Sequence, residues 1–174
     1  MKTLTRLFTI ILVSFCTMQF ANAQATANGN ASVVIIAPIA IGETTPMNFG
    51  TIVPGTVNGT VTLTTAGARN LSNVTAVGAG FAAAVFTVTG QSGYTFVVDI
   101  PAAGTAYNIS DGTNTLAVNG WSSNPADGAT GTLTGGTATI TVGAVLAVPT
   151  GTTAGTYNSV KALGQTYPVT VNYN

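Results

Sequence analysis

From Val61 to Tyr173 the chain repeatedly alternates apolar and polar residues with a period of two, and no helical period competes with it. Val61 and Leu63 alternate with Thr62 and Thr64, and Phe86 and Val88 with Thr87 and Thr89. Tyr94, Phe96, Val98 and Ile100 alternate with Thr95, Val97 and Asp99. Ala138, Ile140 and Val142 alternate with Thr139 and Thr141, and Val169, Val171 and Tyr173 with Thr170 and Asn172. Successive side chains of a strand point to opposite faces, so each run buries one face and shows threonine or asparagine on the other. That is the pattern of half-buried antiparallel strands. Threonine suits the outer face because branching at Cβ favours the extended backbone while the hydroxyl stays wet.

Turn chemistry punctuates the runs. Gln91-Ser92-Gly93 reads as a short hairpin loop, and Pro54-Gly55, Asp111-Gly112, Asn119-Gly120 and Asp127-Gly128 supply turn dipeptides. Short strands at this spacing predict one all-β domain, an immunoglobulin-like antiparallel β-sandwich of Greek-key type. Aromatic and β-branched residues at alternating positions argue against low-complexity disorder despite the Gly and Thr content.

The first 23 residues read as a secretory signal. Lys2 and Arg6 are the charged region, Leu7 to Phe15 the apolar region, and Ala21-Asn22-Ala23 the cleavage site ahead of Gln24. Cys16 follows the bulky Phe15 and belongs to the apolar region rather than to a lipid-attachment site. The apolar run is too short to span a bilayer and no second one follows, so no membrane insertion is expected after cleavage. The expected location is secreted or at the cell surface.

The 151 residues from Gln24 onward carry two cations, Arg69 and Lys161, against four acids, Glu43, Asp99, Asp111 and Asp127, a formal charge of −2. They contain no histidine and no cysteine. General acid–base, nucleophilic and metal chemistry draw on the groups in short supply, so neither catalytic nor metal residues nor a cofactor is expected. Nothing in the charge suggests nucleic acid as a partner. The acids are scattered, without an alternating Asp/Asn ligand loop, so calcium is not expected either. Scarce charge also removes a safeguard: soluble β-proteins guard open sheet edges with lysine, proline or bulges, and Lys161 is the only lysine here.

Ala25 to Ile41 form a further alternating run, with Ala25, Ala27, Gly29, Ala31, Val33 and Ile35 on one parity. Fully extended, these seventeen residues would span on the order of 55 Å, well beyond an ordinary strand. Residues 24–36 are therefore read as an extension, a candidate donor strand for a neighbouring molecule, ahead of a domain over 37–174. Val169, Val171 and Tyr173 mark a C-terminal strand that Pro168 opens, a candidate assembly edge.

Ile39-Ala40-Ile41, Asn48-Phe49-Gly50-Thr51-Ile52, Ala66-Gly67-Ala68-Arg69 and Val169-Thr170-Val171-Asn172-Tyr173 occur in that order. In this combination the chain resembles a secreted bacterial family, domain-of-unknown-function family 4402. That family is similar in pattern to spore-coat-U-like proteins and chaperone–usher pilins. The resemblance implies an immunoglobulin-like sandwich completed by a donor strand, with a homo-polymer or sister subunits as partners and a periplasmic chaperone in assembly. The disulfide of many pilins is absent. The alternative expectation is a monomeric adhesin or carbohydrate-binding module. Trp121, in the loop-like stretch Asn119-Gly120-Trp121-Ser122-Ser123-Asn124-Pro125, would then stack on a sugar ring.

Overall fold

The computed structural model describes residues 24–174; the signal-like segment 1–23 lies outside the described residues. Ile36–Asn174 is one compact unit. In the other unit, residues 24–35 are exposed and carry no strand, with Val33 and Val34 each 82% and Ile35 88% exposed.

Twelve strands build the domain, and every pairing between them is antiparallel. In chain order they are β1 (Ala40–Thr45), β2 (Thr51–Pro54), β3 (Gly59–Leu63), β4 (Arg69–Ser72), β5 (Val74–Val77) and β6 (Ala84–Thr89). There follow β7 (Thr95–Asp99), β8 (Tyr107–Ser110), β9 (Thr115–Asn124), β10 (Thr130–Thr132), β11 (Thr137–Val148) and β12 (Thr170–Tyr173). The larger sheet runs β1-β6-β11-β3-β4, with β9 on the other edge of β11 and β8 beyond it. The second sheet is β10-β7-β12, and β2 and β5 form a separate ribbon. The fold class expected from the alternation, an all-β antiparallel sandwich, is the one observed. Non-consecutive neighbours, such as β6 beside β11 and β7 beside β12, show that its sheets are built by crossovers between distant strands.

The alternation does the work expected of it. In β11, Ile140, Val142, Ala144, Leu146 and Val148 all turn inward. They meet Val61 and Leu63 of β3 and Val88 of β6, and the other sheet adds Phe96 and Val98 of β7 to the same core cluster. Two sheets, each buried on one face, thus share one interior.

β11 is long because it serves two partners in succession along one edge. Thr137–Val142 pair with β6 and Ala144–Val148 with β3, while β9 holds the opposite edge. Gly143 sits at the handover, where any Cβ would run into the carbonyl oxygen of Leu63. Only glycine lets the two backbones come this close.

Two expectations about connections need correction. Gln91-Ser92-Gly93 does not close a hairpin: β6 lies in the larger sheet and β7 in the smaller, so this loop crosses between sheets. Asn119-Gly120 is no turn either. Both residues lie inside β9, where Gly120 adopts φ +61° opposite a register shift between Gly143 and Val145. This is a bulge with glycine in the left-handed region. Its effect is to switch parity: Leu116 and Val118 face the core before it, and Trp121 faces the core after it. The Asp111-Gly112 turn does join β8 to β9 as a hairpin.

Candidate functional site

A cleft of about 640 Å³ opens into the domain core. One wall is Glu43 with residues 46–52, the stretch that follows β1. The other is residues 155–159 and 165–167, the stretch that precedes β12. Between the walls the floor is core: Phe86, Leu116, Val118, Trp121 and Leu146 all line it. The core is therefore reachable from outside along the seam between the first and last parts of the domain.

Aromatic rings hold the floor in place. Trp121 lies 4.5 Å from the Tyr167 ring at an interplanar angle of 33°, and Tyr107 meets it edge-on at 5.8 Å. Tyr167 in turn meets Phe86 edge-on at 6.4 Å. The Trp121 Nε1 donates to the Thr105 carbonyl at 2.7 Å, so its one polar atom is partnered. The Tyr167 hydroxyl is buried with no hydrogen-bond partner among the described residues. Burial, and secondarily the charge of Glu43, raise the Tyr167 hydroxyl well above the ordinary tyrosine range. A buried, unpartnered hydroxyl beside an open cleft is a donor waiting for an acceptor.

Of the charged groups, Glu43 lines the cleft, while Asp111 and Arg69 hold loops outside its lining. Asp111 closes the β8–β9 turn by accepting from Thr113 N at 2.8 Å, Asn114 N at 2.7 Å and Asn114 Nδ2 at 3.0 Å. Those bonds, with the Asn114 amide foremost, hold its carboxyl down at about 2. Desolvation, and then the negative charge of Asp111, raise the hydroxyl of Tyr157 on the cleft wall, which donates to the Thr153 carbonyl at 2.9 Å. Arg69 is a carbonyl clamp: Nη1 donates to Phe49 O and Nη2 to Gly78 O, each at 3.1 Å, with the guanidinium 4.3 Å from the Phe81 ring centroid. It thereby fixes the loop after Asn48, part of one cleft wall. Among the described residues no group of three His, Cys, Asp or Glu is placed to hold a metal ion.

The residues singled out from the sequence fall in three places. Val169, Val171 and Tyr173 belong to, or directly precede, β12, which pairs with β7 on one side. Among the described residues no strand pairs with its other edge. The Tyr173 hydroxyl donates to Ala37 O and accepts from Gln91 N, each at 2.7 Å, and so pins the entry of the chain into the domain. Ala25, Ala27, Gly29, Ala31, Val33 and Ile35 stand exposed and outside any strand. Trp121 is not on an exposed loop: it is a β9 residue, 5% exposed, with its ring between Tyr107 and Tyr167. The sequence reading missed the second wall, and residues 155–167 carry no alternation that would have flagged them.

The fold and the cleft define a small antiparallel sandwich whose core is open along one seam. The chain belongs to the family described as Domain of unknown function (DUF4402), whose model matches residues 39–173. No curated protein and no solved structure matches it.

Proposed function

We propose that this is an exported, non-catalytic structural subunit of a pilus-like fibre or cell-surface layer, assembled by β-strand complementation. The observation that carries the reading is the cleft. It exposes core residues along a seam, while the same chain carries an exposed, uncharged segment, residues 24–35, that forms no strand pairing among the described residues. In this scheme residues 25–36 of one copy enter the seam of the next. Backbone hydrogen bonds supply the pairing, and Val33 and Ile35 supply the apolar anchors. Burying those two side chains contributes roughly 3–6 kcal/mol before the cost of ordering the segment. The chain enters its own domain at Ala37, held by the Tyr173 hydroxyl, while the cleft is lined by Glu43, residues 46–52 and Tyr167 among others. A donor segment of one copy seated in the cleft of the next is a heterologous, head-to-tail contact, which propagates into a filament when its rotation does not close a ring.

Export follows from residues 1–23, whose charged, apolar and Ala21-Asn22-Ala23 regions match a cleaved secretory signal. The scarcity of ionisable groups after Gln24 supports a structural rather than a catalytic role. A second reading, an adhesin or carbohydrate-binding module, takes the aromatic floor of the cleft as a sugar platform; the burial of Trp121 between two rings counts against it.

The test is electron microscopy and sizing of the mature protein with and without residues 24–36. Fibres or oligomer ladders that vanish on truncation are expected. Truncated and full-length proteins that are both monomeric would refute strand donation, and saturable glycan binding by that monomer would favour the second reading.

A further inference from the structure

The chain contains three Asn-Gly dipeptides, Asn28-Gly29, Asn58-Gly59 and Asn119-Gly120, and the structure treats them very differently. Asn-Gly is the dipeptide in which the following backbone nitrogen most easily reaches the asparagine side chain, because glycine has no Cβ to obstruct it. The reaction needs the asparagine backbone to rotate until that nitrogen lies over the side-chain carbonyl carbon. A paired strand forbids the rotation.

Asn58-Gly59 is held. Gly59 is buried at the start of β3, where a Cβ would meet the Ser72 carbonyl, and the Asn58 side-chain oxygen accepts from Thr150 N at 2.9 Å. Asn119-Gly120 is held too. It lies within β9, and the Gly120 nitrogen is committed to the Ala103 carbonyl at 2.7 Å. Asn28-Gly29 has no such restraint among the described residues: both residues are exposed, neither belongs to a strand, and a Cβ at Gly29 would meet nothing within 4 Å.

We infer that Asn28 is a site of spontaneous covalent modification by deamidation, with water as the only co-reactant. The Gly29 backbone nitrogen, losing its proton, bonds to the Asn28 side-chain carbonyl carbon; the bond to the side-chain nitrogen breaks and ammonia leaves. Water then opens the five-membered imide at either carbonyl, giving aspartate or isoaspartate at position 28. The consequence reaches the segment as a whole. Residues 24–36 carry no ionisable side chain, and the product puts a carboxylate in their midst. The isoaspartate form also adds a backbone carbon. That breaks the two-residue alternation between Ala25 and Ala27 on one side and Ala31, Val33 and Ile35 on the other. The chemistry belongs to the unassembled subunit, since pairing of residues 25–36 in a neighbour's seam would remove the backbone freedom it needs.

The test is incubation of the folded mature protein, as monomer isolated by size-exclusion and kept dilute, in mildly alkaline buffer, followed by peptide mass spectrometry and isoaspartyl-methyltransferase labelling of all three sites. Conversion at Asn28 is expected to be about tenfold faster or more than at Asn58 or Asn119, a barrier difference of roughly 1.4 kcal/mol. Unfolding in urea should bring the three rates together, and Gly29→Val should slow the first alone. Equal rates in the folded protein, or a Gly29→Val variant that converts as fast, would overturn the inference.

Discussion

Replacing Tyr167 by phenylalanine removes one oxygen and leaves the ring stack intact, so it isolates the unpartnered hydroxyl at the cleft. In the native domain that oxygen is buried without a hydrogen-bond partner among the described residues. Leaving such a group unsatisfied costs about 1–3 kcal/mol. Tyr167→Phe should therefore stabilise the isolated subunit by about 1 kcal/mol, raising Tm by about 3 °C for a domain of this size. The gain should grow in alkali. Burial first, and the Glu43 charge second, raise the folded-state Tyr167 pKa above that of the unfolded chain. A group with a raised pKa contributes stability that is fully present below its unfolded value and is lost as pH rises beyond it. With an unfolded tyrosine pKa near 10, the native protein loses at most about 1.4 kcal/mol from this residue at about pH 11, and the variant loses none of it. Urea unfolding at neutral pH and at about pH 11 reads both effects. Fluorescence is a local probe of them, because the chain has a single tryptophan, Trp121, and it touches Tyr167. A variant less stable than the native protein at neutral pH, or an advantage that does not widen in alkali, would refute the buried, unpartnered hydroxyl.

Two further perturbations probe the frame around the cleft. Gly143→Ala places a methyl against the Leu63 carbonyl, where β11 passes from β6 to β3, and should cost about 2–3 kcal/mol as a lowered urea midpoint; a native midpoint would show that the two backbones are not so close. Asp111→Asn should lower stability by an amount that stays constant from about pH 7 to 5, because the charged carboxylate that accepts from Thr113 and Asn114 is gone. Because the native carboxyl is held at about 2 against an ordinary 3.8, the native protein's advantage should be lost only as pH falls through roughly 4 to 2, which acid unfolding followed by circular dichroism would register.

The strands themselves were legible. Threonine alternating with valine, isoleucine and phenylalanine marks β3, β6, β7, β11 and β12, because side-chain direction in a strand depends on local parity alone. The family was legible too, through short motifs that fall within residues 39–173. What misled was turn chemistry. Asn119-Gly120 has the residues of a tight turn, yet the left-handed conformation that glycine permits serves a bulge equally well. Once the bulge reverses parity, Trp121 moves from an expected surface loop into the core.

The sequence by itself determined that this chain would be an antiparallel β-structure with one buried face per strand and few ionisable groups. Strand partners, the handover at Gly143 and the open seam were decided only in the tertiary structure. The physical reason is that parity says which face of a strand is apolar, not which strand will lie beside it. The cleft joins residues 46–52 to residues 155–167, segments about a hundred positions apart with no periodic signal in the second. Their meeting is set by how two curled sheets close over a shared core and leave one edge of β12 unpaired among the described residues.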